Sequence, residues 1–175
     1  MILLIDTREQ HSLPFEPGGP ISEIRQQTLE VGDYTAQLEV DGAPILPVRF
    51  ERKSIPDLYG TMTEGYPRFK KEMAKARDLK LDLILLIEGS LTKVADGSPH
   101  STFSGPSMIQ KLFTLQVRHK LPIIFCTTRQ EMVCWITEYC LAVGREYVKL
   151  EQMQMTLAKR WAKAKAVVEA EEPND

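Results

Sequence analysis

The order of apolar and polar positions in the first third of the chain is typical of strands. An apolar run opens the chain and ends at Asp6, which predicts a buried strand over residues 2–6. Apolar and alternating stretches predict two more strands, over residues 28–40 and 45–53. The intervening segment 40–44 contains an Asp-Gly pair, which favours tight hairpin turns, so we expect these two strands to pair antiparallel.

Helical signals follow the second strand of this hairpin. Ser54 is a predicted N-cap with Pro56 in the first turn and Asp57 three residues after the cap, which predicts a short helix toward Thr61. Over residues 67–79, apolar side chains recur at helical spacing and most other positions are basic. This pattern predicts an amphipathic helix with a positively charged exposed face.

The second half of the chain alternates between strands and helices. An apolar run predicts a buried strand over residues 81–88, and the Gly/Ser-rich segment 89–104 predicts a mobile loop. The further predicted elements are a helix over 106–120, a strand over 122–126 and a helix over 130–147. Such alternation is typical of α/β proteins, so we predict one α/β domain over residues 1–147.

An apolar stripe predicts a C-terminal helix over residues 148–168. Its members, at helical spacing, are Leu150, Met153, Leu157 and Trp161. We expect this stripe to pack on the protein's own core, and a dimer interface is the alternative. Residues 169–175 are mostly acidic and predict a flexible tail.

The composition is that of a globular protein, with 43% hydrophobic and 26% charged residues in a chain of 175. A net charge of −2 does not indicate a nucleic-acid-binding protein as a whole, so only a local basic surface could bind DNA. The three cysteines form no Cys-x2-Cys pair and the three histidines lack metal-site spacing, which indicates reduced thiols and no zinc site. Since we find neither a signal peptide nor a membrane-spanning run, we expect an intracellular protein, in the cytoplasm or nucleoid.

The strand over residues 47–53 carries the residues with the clearest chemistry. Because side chains alternate along a strand, Glu51 and Lys53 should project from one face and Arg52 from the other. The hairpin register puts Asp33 roughly opposite Glu51, near enough for the two carboxylates to share a cation. Mg²⁺ prefers oxygen ligands, and these carboxylates with the main-chain carbonyl of Arg52 would supply them. The alternative is a solvated hairpin on which Glu51 and Lys53 form only a surface ion pair.

Such a cation would suit phosphodiester hydrolysis, because it polarises a phosphate and lowers the pKa of an attacking water. Lys53 could orient or deprotonate that water and stabilise negative charge on the phosphate. Asp6, Arg8 and Asp57 lie near strand ends and add further charges at the same edge of the sheet. This concentration of charge weakens the surface ion-pair interpretation.

The order of these motifs is similar to that of a known nuclease family. Gly32-Asp33, then Glu51-Arg52-Lys53, then Asp57 after three further residues, resembles the signature of XPF-type structure-specific endonucleases with an ERCC4-type nuclease domain. Further similar segments are Ile5 to Glu9, Leu29 to Tyr34, Arg68-Phe69 with Glu72, Leu86 to Gly89, and Thr127 to Glu131. The resemblance spans residues 2–139.

The resemblance implies a restriction-endonuclease-like α/β/α core with a central mixed sheet, and cleavage of branched or junction DNA with Mg²⁺ or Mn²⁺. It implies that Asp33 and Glu51 bind the metal and that Lys53 is the catalytic lysine. It also implies that Arg52 contacts a phosphate or has a structural role, and an ion pair with Asp6 or Asp57 is the alternative for this residue. The residues expected to support the site are Asp6, Arg8, Glu9 and Asp57.

Two features depart from the family pattern. Too little chain follows residue 148 for the tandem helix-hairpin-helix module that grips DNA in many members, and the arginine expected after the catalytic helix is shifted to Arg68. We therefore expect DNA contacts from Arg68, Lys71 and Lys75, and either a homodimer or a DNA-binding partner protein. Two other hypotheses stay open, a catalytically inactive DNA-binding scaffold and a restriction-like nuclease that acts on ordinary duplex.

Overall fold

A computed structural model describes residues 1–39, 43–99 and 101–171 of the protein, with residues 163–171 described by their backbone alone. Within these residues, six strands form one sheet in the order β2-β1-β3-β4-β5-β6. Their bounds are β1 Ile2–Ile5, β2 Glu23–Gln26, β3 Tyr34–Gln37, β4 Val48–Ser54, β5 Asp82–Glu88 and β6 Ile123–Cys126. Strand β3 is antiparallel to β1 and β4, and the other neighbours are parallel, which confirms the predicted mixed sheet.

Five helices accompany the sheet in the described residues. They are α1 Ile55–Met62, α2 Tyr66–Asp78, α3 Leu91–Ala95, α4 Gly105–His119 and α5 Arg129–Glu171. Helix α1 begins at the predicted N-cap, where the Ser54 hydroxyl accepts a hydrogen bond from the Asp57 amide. Helix α3 replaces part of the loop predicted over residues 89–104, because Ser90 caps its first turn and Val94 is buried in the core.

The amino-terminal strands differ most from the prediction. The strand predicted over residues 28–40 is shorter, since β3 begins at Tyr34. Strand β2 was missed because its sequence, Glu-Ile-Arg-Gln, has a single apolar residue and lies at an exposed edge of the sheet. Strands β3 and β4 pair antiparallel as expected, and residues 40–42 of the predicted turn lie outside the described residues.

Both faces of β5 are buried, as expected for a central parallel strand. Leu83, Leu85 and Ile87 belong to an apolar cluster with α1, α2 and α4. The alternating residues Ile84 and Leu86 are buried on the opposite face. The sheet therefore has a core on each side, and it presents the carboxyl ends of β4, β5 and β6 at one edge.

The chain divides into two units, Met1–Cys140 and Leu141–Asp175, and the domain limits predicted at residues 147 and 168 stay a prediction. Helix α5 is continuous where the sequence predicted two helices, since residues 145–171 contain neither Gly nor Pro. The stripe predicted to pack on a core is exposed instead, with Trp161 76% accessible. Residues 172–175 of the predicted tail lie outside the described part of the chain. No helix in that part is long and apolar enough to cross a membrane.

Candidate active site

The candidate site lies where β4 ends and α1 begins, beside the start of β3. Tyr34 pairs with Phe50, which brings Asp33 opposite Glu51 as the hairpin register predicts. The Asp33 amide donates to the Phe50 carbonyl at 2.7 Å, and its own carbonyl accepts from the Asp6 amide at 2.8 Å. Main-chain hydrogen bonds to β4 and to the residue after β1 thus fix the position of Asp33.

Gly32 permits this close approach. Its φ of +74° is in the left-handed region, and a Cβ atom there would lie 3.0 Å from Cβ of Arg49 and 3.2 Å from the Phe50 carbonyl oxygen. Its amide donates to Glu72 at 3.3 Å. A side chain at residue 32 would therefore displace the strand end that carries Asp33.

Asp33, Glu51 and Lys53 form the centre of the site. The Lys53 ammonium donates to the Glu51 carboxylate, so the two side chains share one face of β4 as strand alternation predicts. Glu51 is only 6% exposed. One Asp33 carboxylate oxygen accepts a hydrogen bond from the Arg52 amide at 2.7 Å. Two carboxylates and one ammonium are thus held close together, with Glu51 buried and Asp33 and Lys53 half-buried.

Burial dominates the ionisation of this group. Burial raises the pKa of Asp33 to about 6, although the Arg52 amide and the Lys53 charge oppose the shift. Burial, and then the neighbouring charge of Asp33, raise the pKa of Glu51 to about 8. For Lys53, burial opposes protonation but the charge of Glu51 outweighs it and raises the pKa. When both carboxylates are ionised they carry two negative charges, and Lys53 supplies only one positive charge. The excess negative charge favours uptake of a cation.

Arg52 points away from this centre and its side chain is only 8% exposed. Its guanidinium donates to Glu88 at 2.7 Å and to Glu9 at 3.4 Å. The predicted alternative, an ion pair with Asp6 or Asp57, is therefore wrong, because the neighbouring strand β5 and the segment after β1 supply the carboxylates. Its Nε is buried and has no partner among the described residues. Arg52 therefore connects β4 with β5 and with the segment after β1.

Arg129, the first residue of α5, joins the same network. It lies 3.5 Å from Glu88 and donates to the carbonyls of His11 and Ser12 at 2.8 and 2.7 Å. Sequence reasoning noted this segment only as similar to the family. The network fixes the segment that carries Glu9 beside the site.

Asp6 and Arg8 organise the segment after β1. Asp6 is 2% exposed and accepts hydrogen bonds from Arg8 Nε at 2.7 Å, from Arg8 Nη2 at 2.9 Å and from the Leu29 amide at 2.7 Å. Burial opposes ionisation of Asp6, but these hydrogen bonds outweigh it and lower the pKa. Arg8 also donates to the Leu29 carbonyl at 2.8 Å. Both residues hold the chain that leads to Gly32 and Asp33.

A cleft of about 390 Å³ opens onto the centre. The charged residues that line it are Asp6, Arg8, Glu9, Asp33, Glu51, Arg52, Lys53, Asp57, Arg68 and Glu72. Glu72 was not among the predicted site residues, although its position four residues after Arg68 puts both on one face of α2. Lys71 and Lys75 are exposed on the same helix and are not among the described residues of the cleft wall.

The donor set fits a divalent cation. Asp33 and Glu51 offer carboxylate oxygens that the protein's own cations do not fully neutralise, and hard divalent cations prefer such ligands. Among the described residues, no three His, Cys, Asp or Glu side chains converge as a preformed metal site. A bound ion would therefore depend on this pair, with further oxygens from main chain, water or substrate.

A mixed sheet covered by helices, with Glu51 and Lys53 on β4 and Asp33 opposite Glu51 just before β3, defines the class of restriction-endonuclease-like nuclease folds. Residues 5–139 match the family model of the ERCC4 domain, which covers most of the chain. The protein therefore belongs to the ERCC4 domain family of nucleases. Nucleases of this family are generally dependent on divalent metal ions.

Solved structures support the same fold. XPF from Aeropyrum pernix is similar to this chain with a TM-score of 0.59 and 15% identity, over 91% of this chain and 73% of that one. XPF from Aeropyrum pernix in complex with DNA gives a TM-score of 0.55 and 16% identity, over 85% of this chain and 65% of that one. No curated protein sequence matches the chain.

Proposed function

We propose that the protein is a divalent-metal-dependent endonuclease that hydrolyses phosphodiester bonds in branched or junction DNA. The observation that carries this proposal is the pair of carboxylates of the half-buried Asp33 and the buried Glu51, which lie beside Lys53 in an open cleft. Membership of the ERCC4 domain family supports the reaction, and the XPF structure in complex with DNA supports DNA as the substrate.

Asp33 and Glu51 would hold Mg²⁺ or Mn²⁺, together with the main-chain carbonyl of Arg52. The bound ion would supply Lewis-acid polarisation of the phosphate and a more acidic water. The raised pKa of Glu51 supports this assignment, since a buried carboxylate is stabilised in its charged form by a cation.

Lys53 would orient the attacking water and stabilise the charge that develops on the phosphate. Its hydrogen bond to Glu51 keeps the ammonium at the cleft, and its raised pKa keeps it protonated near neutral pH. A protonated lysine donates hydrogen bonds, so stabilisation of the phosphate is the role that we assign first. Asp57 would position the start of α1 through its hydrogen bond with the Ser54 hydroxyl at 2.6 Å.

Helix α2 would supply the DNA contacts. Arg68 lines the cleft, and Lys71 and Lys75 follow at helical spacing on the exposed surface. Such contacts with phosphates position DNA without reading its sequence. Asp6, Arg8, Glu9 and Arg52 would act as positioning residues, because their polar atoms bind main chain or each other.

The exposed apolar stripe of α5 supports assembly with a second copy or with a DNA-binding partner protein, since large exposed apolar patches mark such interfaces. Preference for a branched substrate would then arise from the assembly as well as from α2.

The test offers five labelled DNAs, a duplex, a single strand, a splayed fork, a flap and a four-way junction, with Mg²⁺, Mn²⁺ or EDTA. We expect cutting of the branched substrates with metal and none with EDTA. Asp33→Asn should abolish cutting, whereas Glu23→Gln, an exposed carboxylate on the edge strand β2, should cut like the wild type. Metal-independent cutting, or full activity of Asp33→Asn, would contradict the mechanism. Preferred cutting of plain duplex would favour the restriction-like alternative. Binding of DNA without any cutting would favour the inactive scaffold.

A further inference from the structure

A second cleft, here called the basal cleft, lies at the opposite end of the parallel strands from the carboxylates. It has a volume of about 870 Å³ and includes Asp82 at the start of β5 and Pro122 just before β6. Since Asp82 pairs with Val48, Lys53 lies five residues further along β4, which is roughly 16 Å away along the strand. The basal cleft is therefore separate from the candidate active site.

The rim of the basal cleft is strongly positive. The described residues that line it include one carboxylate, Asp82, and six basic residues. The basic residues are Lys70, Arg77, Lys80, Arg118, His119 and Lys120. Among the residues that the structure describes, Arg77 alone of this rim forms an ion pair, at 3.8 Å from the largely exposed Asp78. This local positive charge contrasts with the net charge of −2 of the whole chain.

Two of these lysines occupy backbone positions that favour glycine. Lys80, just after α2, has a φ of 57°, and Lys120, just after α4, has a φ of 54°. Basic residues are common in the last turn of a helix, where they offset the helix dipole. A basic residue can offset the dipole from the last helical turn itself. It does not need to occupy the left-handed position after the helix, where glycine is less strained than lysine. Lysine at both positions suggests that the two charges serve a ligand.

The floor of the basal cleft is apolar and one wall is aromatic. The half-buried Leu81 and the buried Met73, Leu83 and Leu121 line the floor, and the half-buried Tyr139 lines the same cleft. A duplex presents its phosphates on a broad convex surface and would leave this floor uncovered. An unpaired strand can lie in a groove and place its bases on apolar or aromatic side chains while its phosphates meet cations.

We propose that the basal cleft binds single-stranded DNA, with phosphates against the lysine and arginine rim and bases against the apolar floor. The inference rests on the proposed function, because it takes the ligand to be an unpaired arm of the DNA substrate. Helix α2 connects the two sites, since Arg68 lines the catalytic cleft and Arg77 lines the basal cleft. One strand could therefore contact both.

The test measures binding of the full chain to a fluorescent thymidine oligonucleotide of about 12 nucleotides, within the roughly 4–16 nucleotide site sizes of single-strand-binding folds. EDTA is present, so that cutting does not interfere. The variant is Lys80→Gly with Lys120→Gly, which removes two charges at backbone positions that glycine adopts readily. Its melting temperature should therefore match or exceed that of the wild type.

The salt dependence of binding is the decisive readout. Each single-strand phosphate contact contributes about 0.7 to the slope of log K against log salt, so the double variant should lower the slope by about 1.4. We also expect at least about fivefold weaker binding at low salt. The control variant, Arg25→Gln with Lys149→Gln, removes two charges from exposed residues outside both clefts and should keep the slope.

An unchanged slope in the glycine variant, or an equal loss in the control, would overturn the proposal. An equal loss for a duplex of the same length would overturn the assignment to single strands. Binding of labelled polyglutamate without binding of the oligonucleotide would overturn the proposal in favour of an acidic protein ligand. The proposed function is tested separately by metal-dependent cutting. If the wild type cuts DNA and the glycine variant binds the oligonucleotide normally, only this inference is refuted. If the glycine variant loses binding but the wild type does not cut any DNA, only the proposed nuclease function is refuted.

Discussion

The ammonium of Lys53 donates a hydrogen bond to the carboxylate of Glu51, two residues earlier on the same face of β4. This relationship joins the residue expected to act on the phosphate to a residue expected to bind the metal.

Replacing the lysine should remove catalysis and leave the fold intact. In Lys53→Met the aliphatic part of the side chain is kept while the charge is lost, so we expect single-turnover cleavage to fall about 10²–10⁴-fold. The substrate should still bind, because the change leaves the phosphate contacts proposed for α2 in place. Lys111→Met, in a lysine that lies over the Tyr66 ring away from this cleft, is the control. Activity of Lys53→Met within about threefold of the wild type would refute the assigned role.

Stability of the metal-free protein should depend on pH through the two carboxylates. Burial raises the pKa of Asp33 from 3.8 to about 6 and that of Glu51 from 4.5 to about 8. Both groups bind protons more tightly in the folded than in the unfolded chain. Their contribution is therefore fully present below the ordinary pKa values and is lost as the pH rises through the folded values.

Glu51→Gln tests this pH dependence. The variant removes the carboxylate with the larger shift, so its melting temperature in EDTA should exceed that of the wild type at alkaline pH by at least about 2 °C. The difference should shrink as the pH falls from about 8 and should vanish below the ordinary pKa of glutamate, 4.5. Glu23→Gln provides the matched control. If the melting temperatures of Glu51→Gln and of the wild type differ by the same amount at every pH, the prediction is contradicted.

Divalent metal should stabilise the folded protein through the same pair. At a metal concentration about 100 times the Kd, binding contributes about 2.7 kcal/mol, which corresponds to roughly 5–10 °C in melting temperature. Removal of Mn²⁺ with EDTA should reverse the rise. Asp33→Asn should show little response, and an equal response in that variant would place the metal elsewhere.

Gly32→Ala should destabilise the strand end and impair cleavage. The new Cβ atom would lie 3.0 Å from Cβ of Arg49 at a residue with φ of +74°, so steric and backbone strain add. We expect a loss of about 2 kcal/mol in the free energy of unfolding. Gly97→Ala is the control, because its φ is +91° but nothing lies within 4 Å, and it should lose about 1 kcal/mol. Equal losses, measured by urea unfolding, would mean that the contact with Arg49 does not matter.

Arg52→Met should act on stability more than on chemistry. The change leaves the buried Glu9 and the partly exposed Glu88 without their shared cation. We expect the free energy of unfolding to fall by about 3 kcal/mol, which is at the lower end of the range for a broken buried ion pair. Arg25→Met breaks an exposed pair with Glu23 and should lose at most about 1 kcal/mol. A fully stable Arg52→Met with weak DNA binding would instead favour a phosphate contact.

The site centre could be predicted because it depends on local pairing. Alternation along β4 puts Glu51 beside Lys53, and the hairpin brings Asp33 opposite Glu51. The partners of Arg52 could not be predicted in this way. Glu88 is 36 residues away and becomes a neighbour only because β5 pairs with β4, and strand order is not contained in hydrophobic periodicity. For the same reason Glu72 was noted only as part of the family resemblance, since it reaches the site through the packing of α2.

The elements that were missed have physical reasons as well. Strand β2 is short, polar and at an edge, so it lacks the apolar alternation that marks a strand. The stripe of α5 was assigned to a core because its spacing is helical and apolar. Periodicity shows that such a face exists, and it does not show what covers it.

Helix α2 has one further consequence for the two clefts. Arg68 and Arg77 are nine residues apart on one rigid helix, a rise of roughly 14 Å. If a strand of DNA is gripped at one end of this helix and cut at the other, the helix acts as a molecular ruler. The cut position would then be set by a fixed length of protein, whatever the base sequence of the strand.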